Sequence, residues 1–339
     1  MKIRSAEAVG EQAWDQAVRT LPGGTFCHLA GWRRVCELNF GFPSLSLIAE
    51  DDGGIVGLLP LFLVRRWPFP AALISSPVCV YGGTLAYEPA VHEALAAHAR
   101  ELARRHGVQY LELRDVAVQR EGWQTTDRYY TFKRELPVSA DETLTSIPTR
   151  QRAEVRKGIK AGLTFKTASS IDAFYPVYAE SMRNLGSPGF KRRYYQSLLD
   201  VFGSAVEVAT AFDGDVPVSS VINFFFGDEI LLYYGGGTAQ ARQLRSTQFL
   251  YWQVMNRAIE RDARIFDFGR SMRDTGTFSF KTYWKFEPSP LHYHYLPIRG
   301  AVPDLSPDNP RLALAARVWS RLPLPVAGVV GPFTARAIV

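Results

Sequence analysis

The two halves of this 339-residue sequence repeat one order of elements, and this repeat limits the possible folds more than any other feature. Tyr81–Gly83, a helix and a strand at Tyr110–Arg114 recur as Tyr234–Gly236, a helix and the segment Ile265–Arg270. The segments that precede them also match in pattern, at a separation of about 160 residues. Because the order is kept while few residues are identical, the repeat predicts two copies of one α+β module.

Hydrophobic periodicity predicts the same series in both halves: two helices, a hairpin, a strand, a helix and a last strand. A basic segment between the halves, Arg150–Ala161, is predicted to be helical, and Leu291–Ile298 is predicted to form an extra strand after the second copy. The predicted domains are residues 1–137, residues 138–300 with the basic helix, and a proline-punctuated amphipathic tail at residues 301–339.

Composition and charge indicate which binding partners and which cellular compartment to expect. The net charge of +6 favours anionic partners such as phosphates, nucleic acid or an acidic membrane face. Cys27, Cys36 and Cys79 are odd in number and show no C-x-x-C spacing, so neither a disulfide framework nor a zinc site is indicated. With no apolar stretch typical of a signal peptide or a spanning helix, the sequence predicts a cytoplasmic protein.

Lys281 is surrounded by aromatic residues in the segment 276–286. An aromatic surround excludes water and strengthens a positive charge, so Lys281 can hold a phosphate or the oxyanion that develops during acyl transfer. The alternative is a solvated lysine on an aromatic core strand, whose stem covers apolar surface. Asp267 ends the preceding strand and is expected either to orient Arg270 or Lys281, or to accept hydrogen bonds from nearby backbone.

The basic segment between the halves places Arg152, Arg156 and Lys160 four residues apart, on one helix face. Like charges in such a stripe repel one another, and a bound anion relieves the repulsion. We therefore predict that the stripe, with Lys157, binds phosphate; a solvated charged face is the alternative.

Common catalytic motifs are missing from the sequence. It contains no G-x-S-x-G elbow, no G-x-x-x-x-G-K-[ST] loop and no G-x-G-x-x-G fingerprint, which argues against the usual hydrolase, nucleoside-triphosphatase and dinucleotide-binding sites. His292 and His294 have no third ligand at metal-site spacing, so no metal is predicted. The glycines at 235–237 are interpreted as a turn that permits close backbone approach, with Tyr233 and Tyr234 beside a pocket.

With these segments in view, the chain resembles the FemAB family over nearly its whole length. The residues that carry the resemblance are Arg150–Leu163, Tyr233–Gly236 and Asp267–Lys281. Members of that family are paired GNAT-like domains that transfer amino acids from aminoacyl-tRNA to peptidoglycan precursors. The resemblance therefore implies two tandem GNAT-like domains, an α+β fold with mixed, mostly antiparallel sheets. The ending, residues 309–332, is similar to a subgroup associated with exosortase/PEP-CTERM systems and exopolysaccharide gene clusters.

The resemblance also implies roles for particular residues. Lys281 corresponds to a lysine held to stabilise the transition state, and the bound substrate relays its own proton. The predicted substrate-binding residues are Arg152, Arg156, Lys157, Tyr234, Gly235, Gly236, Arg270, Phe280 and Trp284. In these roles the cations hold phosphates or another anionic group, and the remaining residues shape the pocket.

The donor stays open at this point, and no resident cofactor is predicted. The helical hairpin that tRNA-binding members often carry is not readable in the second half, which argues against aminoacyl-tRNA. The segment Ala241–Ser246 lacks the glycines expected of a pyrophosphate-binding loop, which argues against acyl-coenzyme A.

The function predicted from the sequence is acyl or aminoacyl transfer to a lipid-linked glycan or peptide precursor, or to another small molecule, in envelope or exopolysaccharide synthesis. The alternatives are a non-catalytic adaptor that binds lipid-linked glycan intermediates, and an acyl-coenzyme-A-dependent acetyltransferase. In the tail, Arg311, Arg317 and Arg321 alternate with Leu312, Val318, Trp319 and Leu322. This pattern fits either an interfacial helix at the inner membrane or packing on the domains.

Overall fold

The computed structural model describes residues 1–116, 118–303 and 310–337. The chain divides into two compact units. One unit comprises Met1–Tyr129, Pro290–Asp304 and Arg336–Val339, and the other comprises Tyr130–Ser289 and Leu305–Ala335. The domain limits predicted at residues 137 and 300 stay predictions beside this division.

The first unit contains two sheets and three α-helices. Its strands in the first part of the chain are β1 (Lys2–Ser5), β2 (Leu47–Asp51), β3 (Gly54–Leu59), β4 (Phe62–Arg66), β5 (Phe69–Ile74), β6 (Leu85–Ala86), β7 (Tyr110–Asp115) and β8 (Gln124–Thr126). Its helices are α1 (Glu11–Thr20), α2 (Gly31–Phe40) and α3 (Pro89–Arg105). One sheet has the order β1-β2-β3-β6, and β4, β5 and β7 are neighbours in the other.

Helix α3 illustrates how the local sequence sets these elements. Pro89 occupies its first turn, where a missing N–H costs nothing. Val91, Leu95 and Ala99 recur at four-residue spacing and are buried in the core of the first unit. Gly107, at φ +64°, follows the helix end and lets the chain turn into β7.

The second unit is built on one large sheet. Its elements up to the end of that sheet are β9 (Tyr129–Glu135), α4 (Ala140–Ser146), α5 (Thr149–Lys160), β10 (Thr164–Ala168), α6 (Phe174–Asn184), α7 (Arg192–Phe202), β11 (Val206–Asp213), β12 (Val216–Phe226), β13 (Glu229–Gly237), α8 (Ala241–Leu244), α9 (Ser246–Glu260), β14 (Ile265–Asp267), β15 (Ser271–Met272), α10 (Gly276–Tyr283) and β16 (Glu287–Pro290). The strand order is β10-β11-β12-β13-β14-β9-β15, with β16 pairing with β9. The predicted basic helix is α5.

Two strands connect the halves of the sequence. β9 follows the first copy in the chain and pairs antiparallel with β14 of the second, Lys133 opposite Asp267. β17 (His292–Pro297) follows the second copy and pairs antiparallel with β7 of the first, His292 opposite Asp115. The extra strand predicted after the second copy therefore exists, and it belongs to the sheet β4-β5-β7-β17-β8.

The sheets are mixed, as the sequence predicts. β5 pairs with β7, and β13 with β14, in parallel, whereas β2–β3, β11–β12 and β12–β13 are antiparallel. The tail forms α11 (Pro310–Trp319) and α12 (Leu324–Ala337). Over the described ranges, every helix is too short or too polar to cross a membrane.

Candidate active site

The loop between β14 and α10 positions Lys281. Gly269, in this loop, has φ +68°, and a Cβ there would lie 2.9 Å from the carbonyl oxygen of Leu232, so a larger residue would strain the turn. Helix α10 begins after Thr275, whose Oγ1 accepts a hydrogen bond from the N–H of Phe278. Because of this cap Lys281 lies on a helix, and the interpretation of a core strand at this position is wrong.

The Lys281 side chain is buried, with 8% of the residue exposed. Its Nζ donates to the carbonyl oxygens of Gly269 at 2.9 Å and Arg270 at 3.1 Å. The same nitrogen lies 5.2 Å from the centre of the Phe132 ring. An ammonium has three N–H donors, so two carbonyl contacts leave one donor for an incoming acceptor.

Burial lowers the pKa of Lys281 to about 7. The negative charge of Asp267 opposes this change, and the positive charge of Arg270 adds to it. Arg270 itself is exposed after β14. Because burial disfavours the ammonium form of Lys281, a negative charge that appears beside it stabilises this form more than it would in water.

Asp267 is fully buried and belongs to a charge network that the sequence did not reveal. Its Oδ1 accepts hydrogen bonds from the N–H of Gly269 at 2.6 Å and from the Thr131 hydroxyl. Lys133 Nζ lies 3.5 Å from Asp267 and 2.6 Å from Glu229. The expectation that Asp267 accepts hydrogen bonds from nearby backbone thus holds for its contact with Gly269. The Asp267 carboxylate also contributes to the electrostatic field at Lys281.

Glu229 is the second carboxylate of this network. Burial raises its pKa to about 7, the nearby Asp267 charge adds to the rise, and Lys133 opposes it. The sequence did not predict this network, because Lys133 lies near Asp267 only through the pairing of β9 with β14. The network holds the end of β14 in place, and with it the loop that carries the two carbonyls.

The glycines at 235–237 lie within β13, so the predicted turn is wrong, although the predicted close approach occurs. β14 pairs with β13 only along Glu229–Leu231. In the described part of the chain, no strand pairs with β13 on that side beyond Leu231. At Leu232 the loop after β14 lies beside β13, because a Cβ at Gly269 would lie 2.9 Å from the Leu232 carbonyl oxygen.

Neighbouring residues of β13 point to opposite faces of the sheet. Gly235 is exposed, and a Cβ there would lie 3.4 Å from the hydroxyl of Tyr251 on α9. The Tyr251 ring in turn contacts Phe280 at a centroid distance of 5.7 Å. Tyr251 and Phe280 thus form an aromatic wall beside Gly235, and Lys281 follows Phe280 on α10.

Tyr234 and Gly236 face the other side. The Tyr234 hydroxyl lies 2.6 Å from that of Tyr194, and its ring packs against Tyr178 and Tyr195. Strand alternation explains this separation from Gly235, because successive side chains leave a strand in opposite directions. Tyr234 therefore packs on α6 and α7 and does not line the wall that contains Phe280.

Trp284 and the loop arginine take different places around Lys281. The Trp284 side chain is fully buried among Tyr251, Phe268 and Phe280, so it supports the aromatic wall from behind. Arg270 is exposed and provides a charge at the solvent side of the loop.

The cations of the basic helix α5 differ in their contacts. The Arg152 guanidinium donates to the carbonyl oxygens of Thr145 and Ile147 at the end of α4, and the phosphate-binding stripe expected from spacing stays a prediction. Lys157 pairs with Glu154 at 2.7 Å. Arg156 is exposed and stays a candidate for phosphate binding.

The start of α5 also lies beside the helix that carries Lys281. The Arg150 guanidinium is 5.8 Å from the centre of the Tyr283 ring, one turn from Phe280 on α10. Arg245, just before α9, pairs with Glu154 of α5 at 2.7 Å. Positive charge therefore accompanies the buried lysine within the second unit.

Comparison with known proteins agrees with this geometry. Residues 149–282, which contain α5, β13 and Lys281, match the family described as an acetyltransferase (GNAT) domain. The chain has a tandem GNAT fold. The match also confirms the predicted class of enzyme, a transferase.

Solved structures show the same fold over most of the chain. The crystal structure of FemX matches with a TM-score of 0.68 at 15% identity, covering 88% of this chain and 98% of FemX. A tandem GNAT protein from the clavulanic acid biosynthesis pathway matches with a TM-score of 0.57 at 15% identity, covering 89% and 99%.

A third structure of the same fold is the C-terminal domain of a candidate lysylphosphatidylglycerol synthetase from Agrobacterium fabrum. It matches with a TM-score of 0.56 at 12% identity, covering 94% of this chain and 95% of that one. No curated protein sequence matches the chain significantly. At these identities the structures establish the tandem GNAT fold.

The two glycines of β13 provide a matched test of this geometry. A Cβ at Gly236 would lie 2.6 Å from the Ser181 Cβ and 2.8 Å from its Oγ, so Gly236→Ala is expected to cost about 1–3 kcal/mol of unfolding free energy. Gly235→Ala meets only ordinary contacts and is expected to be tolerated. Urea denaturation of both variants measures the difference; equal stabilities would contradict the packing of α6 on β13.

Proposed function

We propose that this protein is a FemAB-like transferase that moves an acyl or aminoacyl group onto an amine or hydroxyl of a cell-envelope or exopolysaccharide precursor. The observation that carries the proposal is the buried Lys281 ammonium, held by the carbonyls of Gly269 and Arg270 with one donor left over. Membership of the exosortase/PEP-CTERM-associated subgroup is part of this proposal and rests on the sequence of the tail.

In the proposed reaction, the acceptor nitrogen or oxygen attacks the carbonyl carbon of the donor. The carbonyl electron pair moves to its oxygen, and the remaining N–H of Lys281 donates to that oxyanion. When the oxyanion collapses, the bond from carbon to the donor's oxygen or sulfur breaks, and the leaving group takes up the proton that the acceptor loses. Donors fixed in a water-poor site stabilise this charge more than water does.

The other candidate residues would bind and orient the substrates. Gly235 and Phe280 would contact the acyl group beside the end of β13, with Trp284 supporting the ring of Phe280. Arg270 and Arg156 would attract anionic parts of the donor or acceptor, since both are exposed. Arg152 and Lys157 would take part only after leaving their present partners, and Tyr234 and Gly236 would shape the strand from behind.

Two donor classes fit the proposal, aminoacyl-tRNA and acyl-coenzyme A, and both would be substrates. The segment expected to hold pyrophosphate contains the short helix α8, and Arg245 next to it adopts a left-handed conformation at φ +57°. The exposed basic residues of α5 are suited to the phosphates of either donor. We propose a cytoplasmic reaction, with peripheral contact at the inner membrane where lipid-linked precursors lie.

A direct test offers the purified protein two labelled donors separately, an aminoacyl-tRNA mixture and acetyl-coenzyme A, together with a lipid-linked glycan or peptide precursor. Transfer of label from either donor to the precursor is the expected result, and it identifies the donor. Binding of the precursor without transfer from either donor would favour the adaptor alternative. Neither binding nor transfer would contradict both.

A further inference from the structure

The C-terminal helices present two different faces. Along α12, Ala327, Gly331 and Ala335 are buried and follow four-residue spacing, so this stripe packs against the second unit. Gly186, after α6, makes a matching close contact with α11, since a Cβ there would lie 2.5 Å from the carbonyl oxygen of Ala316. One face of these helices therefore packs on the protein, which was one of the two alternatives predicted for the tail.

The opposite face of α12 is apolar and exposed. Val326, Val329, Val330 and Phe333 follow three- and four-residue spacing and form one stripe. Val329 is 69% exposed and Phe333 is 67% exposed. Isolated exposed apolar residues are ordinary, but a continuous stripe of four on one helix marks an interaction surface.

Helix α11 also exposes apolar and cationic residues together. Leu314 and Val318, one turn apart, are more than half exposed. Arg317 lies on the same side of α11, because it is three residues from Leu314, and it is exposed. Arg321, in the turn after the helix, is also exposed. The side chains of Arg311 and Leu312, predicted in the same pattern, lie outside the described residues.

Positive charge predominates around this surface, although Arg192 pairs with the exposed Asp172. Residues 310–339 contain four arginines and no Asp or Glu. Lys191, before α7, places its Nζ 5.1 Å from the centre of the Phe333 ring, and Arg192 and Arg193 beside it are exposed. An apolar stripe bordered by cations is complementary to an anionic interface with an apolar layer beneath it.

We propose that the outer face of α11 and α12, with Lys191–Arg193, binds an anionic phospholipid bilayer. Val329 and Phe333 enter the boundary between headgroups and acyl chains, while the arginines and Lys191 contact lipid phosphates. Amphipathic helices with cations on the polar side bind interfaces in this way, and each cation near an anionic leaflet adds to the affinity. The inference deepens the membrane contact of the proposed function by assigning it a surface, and it does not require the transfer reaction.

The test is sedimentation of the full-length protein with vesicles of phosphatidylcholine containing about one third phosphatidylglycerol, against pure phosphatidylcholine. Binding to the anionic vesicles that weakens with added salt is expected. The double variant V329D/F333D is expected to lower the partition coefficient at least about tenfold, because charged residues replace the inserting side chains. The double variant R317Q/R321Q is expected to lower it about tenfold on anionic vesicles and to reduce the salt dependence.

Val216→Asp is the control, since Val216 is a valine that is 56% exposed in the second unit, at the start of β12. It should bind vesicles as the unchanged protein does, and circular dichroism should show all variants folded. The proposal fails if the unchanged protein does not sediment with anionic vesicles, or if V329D/F333D sediments as well as the control. A dimer that V329D/F333D converts to monomer, without vesicle binding, would assign the face to self-association and would also overturn the proposal.

Discussion

Lys281→Met is expected to lower turnover about 100- to 1,000-fold while the protein remains folded. The substitution keeps an unbranched side chain of similar length but removes the N–H donor that the oxyanion would use. Substrate binding should change little, because the donor matters only once negative charge has formed. Single-turnover kinetics with the donor identified in the transfer test separates the two quantities.

Lys285→Met is a suitable control, because Lys285 follows α10 and is exposed. It should retain full turnover. If Lys281→Met also retained full turnover, the proposed role of Lys281 would be wrong, whatever the protein transfers.

The same proposal predicts a pH dependence. The pKa of Lys281 is lowered from 10.5 to about 7, so the ammonium form is present below about 7 and is lost as the pH rises through that value. Turnover by an oxyanion donor should therefore fall above pH 7; a rise would indicate that the neutral amine acts as a base. Asp267→Asn should shift this fall in turnover to lower pH, because the negative charge of Asp267 favours the ammonium form of Lys281.

Stability should depend on pH in the opposite sense. Between about 7 and 10.5 the unfolded chain keeps a proton on this lysine that the folded chain has lost, so the unfolding free energy rises with pH over this window. Lys281→Met should remove that rise. This measurement reports on the environment of Lys281 even where no substrate is known.

Arg114→Met is expected to cost about 3–5 kcal/mol of unfolding free energy. Arg114 and Glu112 form an ion pair at 2.8 Å in the first unit, with side chains only 10% and 8% exposed. The Arg114 guanidinium also donates to the carbonyl oxygens of Ser76, Pro77 and Cys79. Loss of the guanidinium would leave a buried carboxylate and these carbonyls without their donor.

Urea denaturation measures this effect, with Arg104→Met on the exposed side of α3 as the control. The control should stay within about 0.5 kcal/mol of the unchanged protein. Adding Glu112→Leu to Arg114→Met should restore part of the loss, because the buried charge is then removed. An Arg114 variant as stable as the Arg104 variant would show that this pair does not brace the first unit.

Much of the fold could be predicted from residue patterns that repeat over short distances. Helix α5 lies within about one residue of its predicted limits, because apolar periodicity and capping are local properties. The end of β5 at Ile74 depends instead on distant residues. Ser76, which follows, has φ +46°, and Arg114 holds the carbonyls of this turn, a contact between residues far apart in the sequence.

The candidate site was only partly predictable for the same reason. The aromatic sequence around Lys281 identified it as a candidate but did not show that Thr275 would start a helix there. Lys133 and Glu229 carried no recognisable motif, since they meet Asp267 through strand pairing. Spacing put Arg152 in a predicted phosphate-binding stripe, but it could not show that the Arg152 guanidinium also donates to two carbonyls at the end of α4.

The sequence by itself determined that two copies of one α+β module follow each other, with an aromatic-flanked lysine in the second. Only the tertiary structure decided that β9 joins β14 and β17 joins β7, and that Gly235 and Tyr234 serve opposite faces of β13. Periodicity reports which side of an element is apolar. The choice of partner depends on hydrogen bonds and packing between distant segments, which no local pattern encodes.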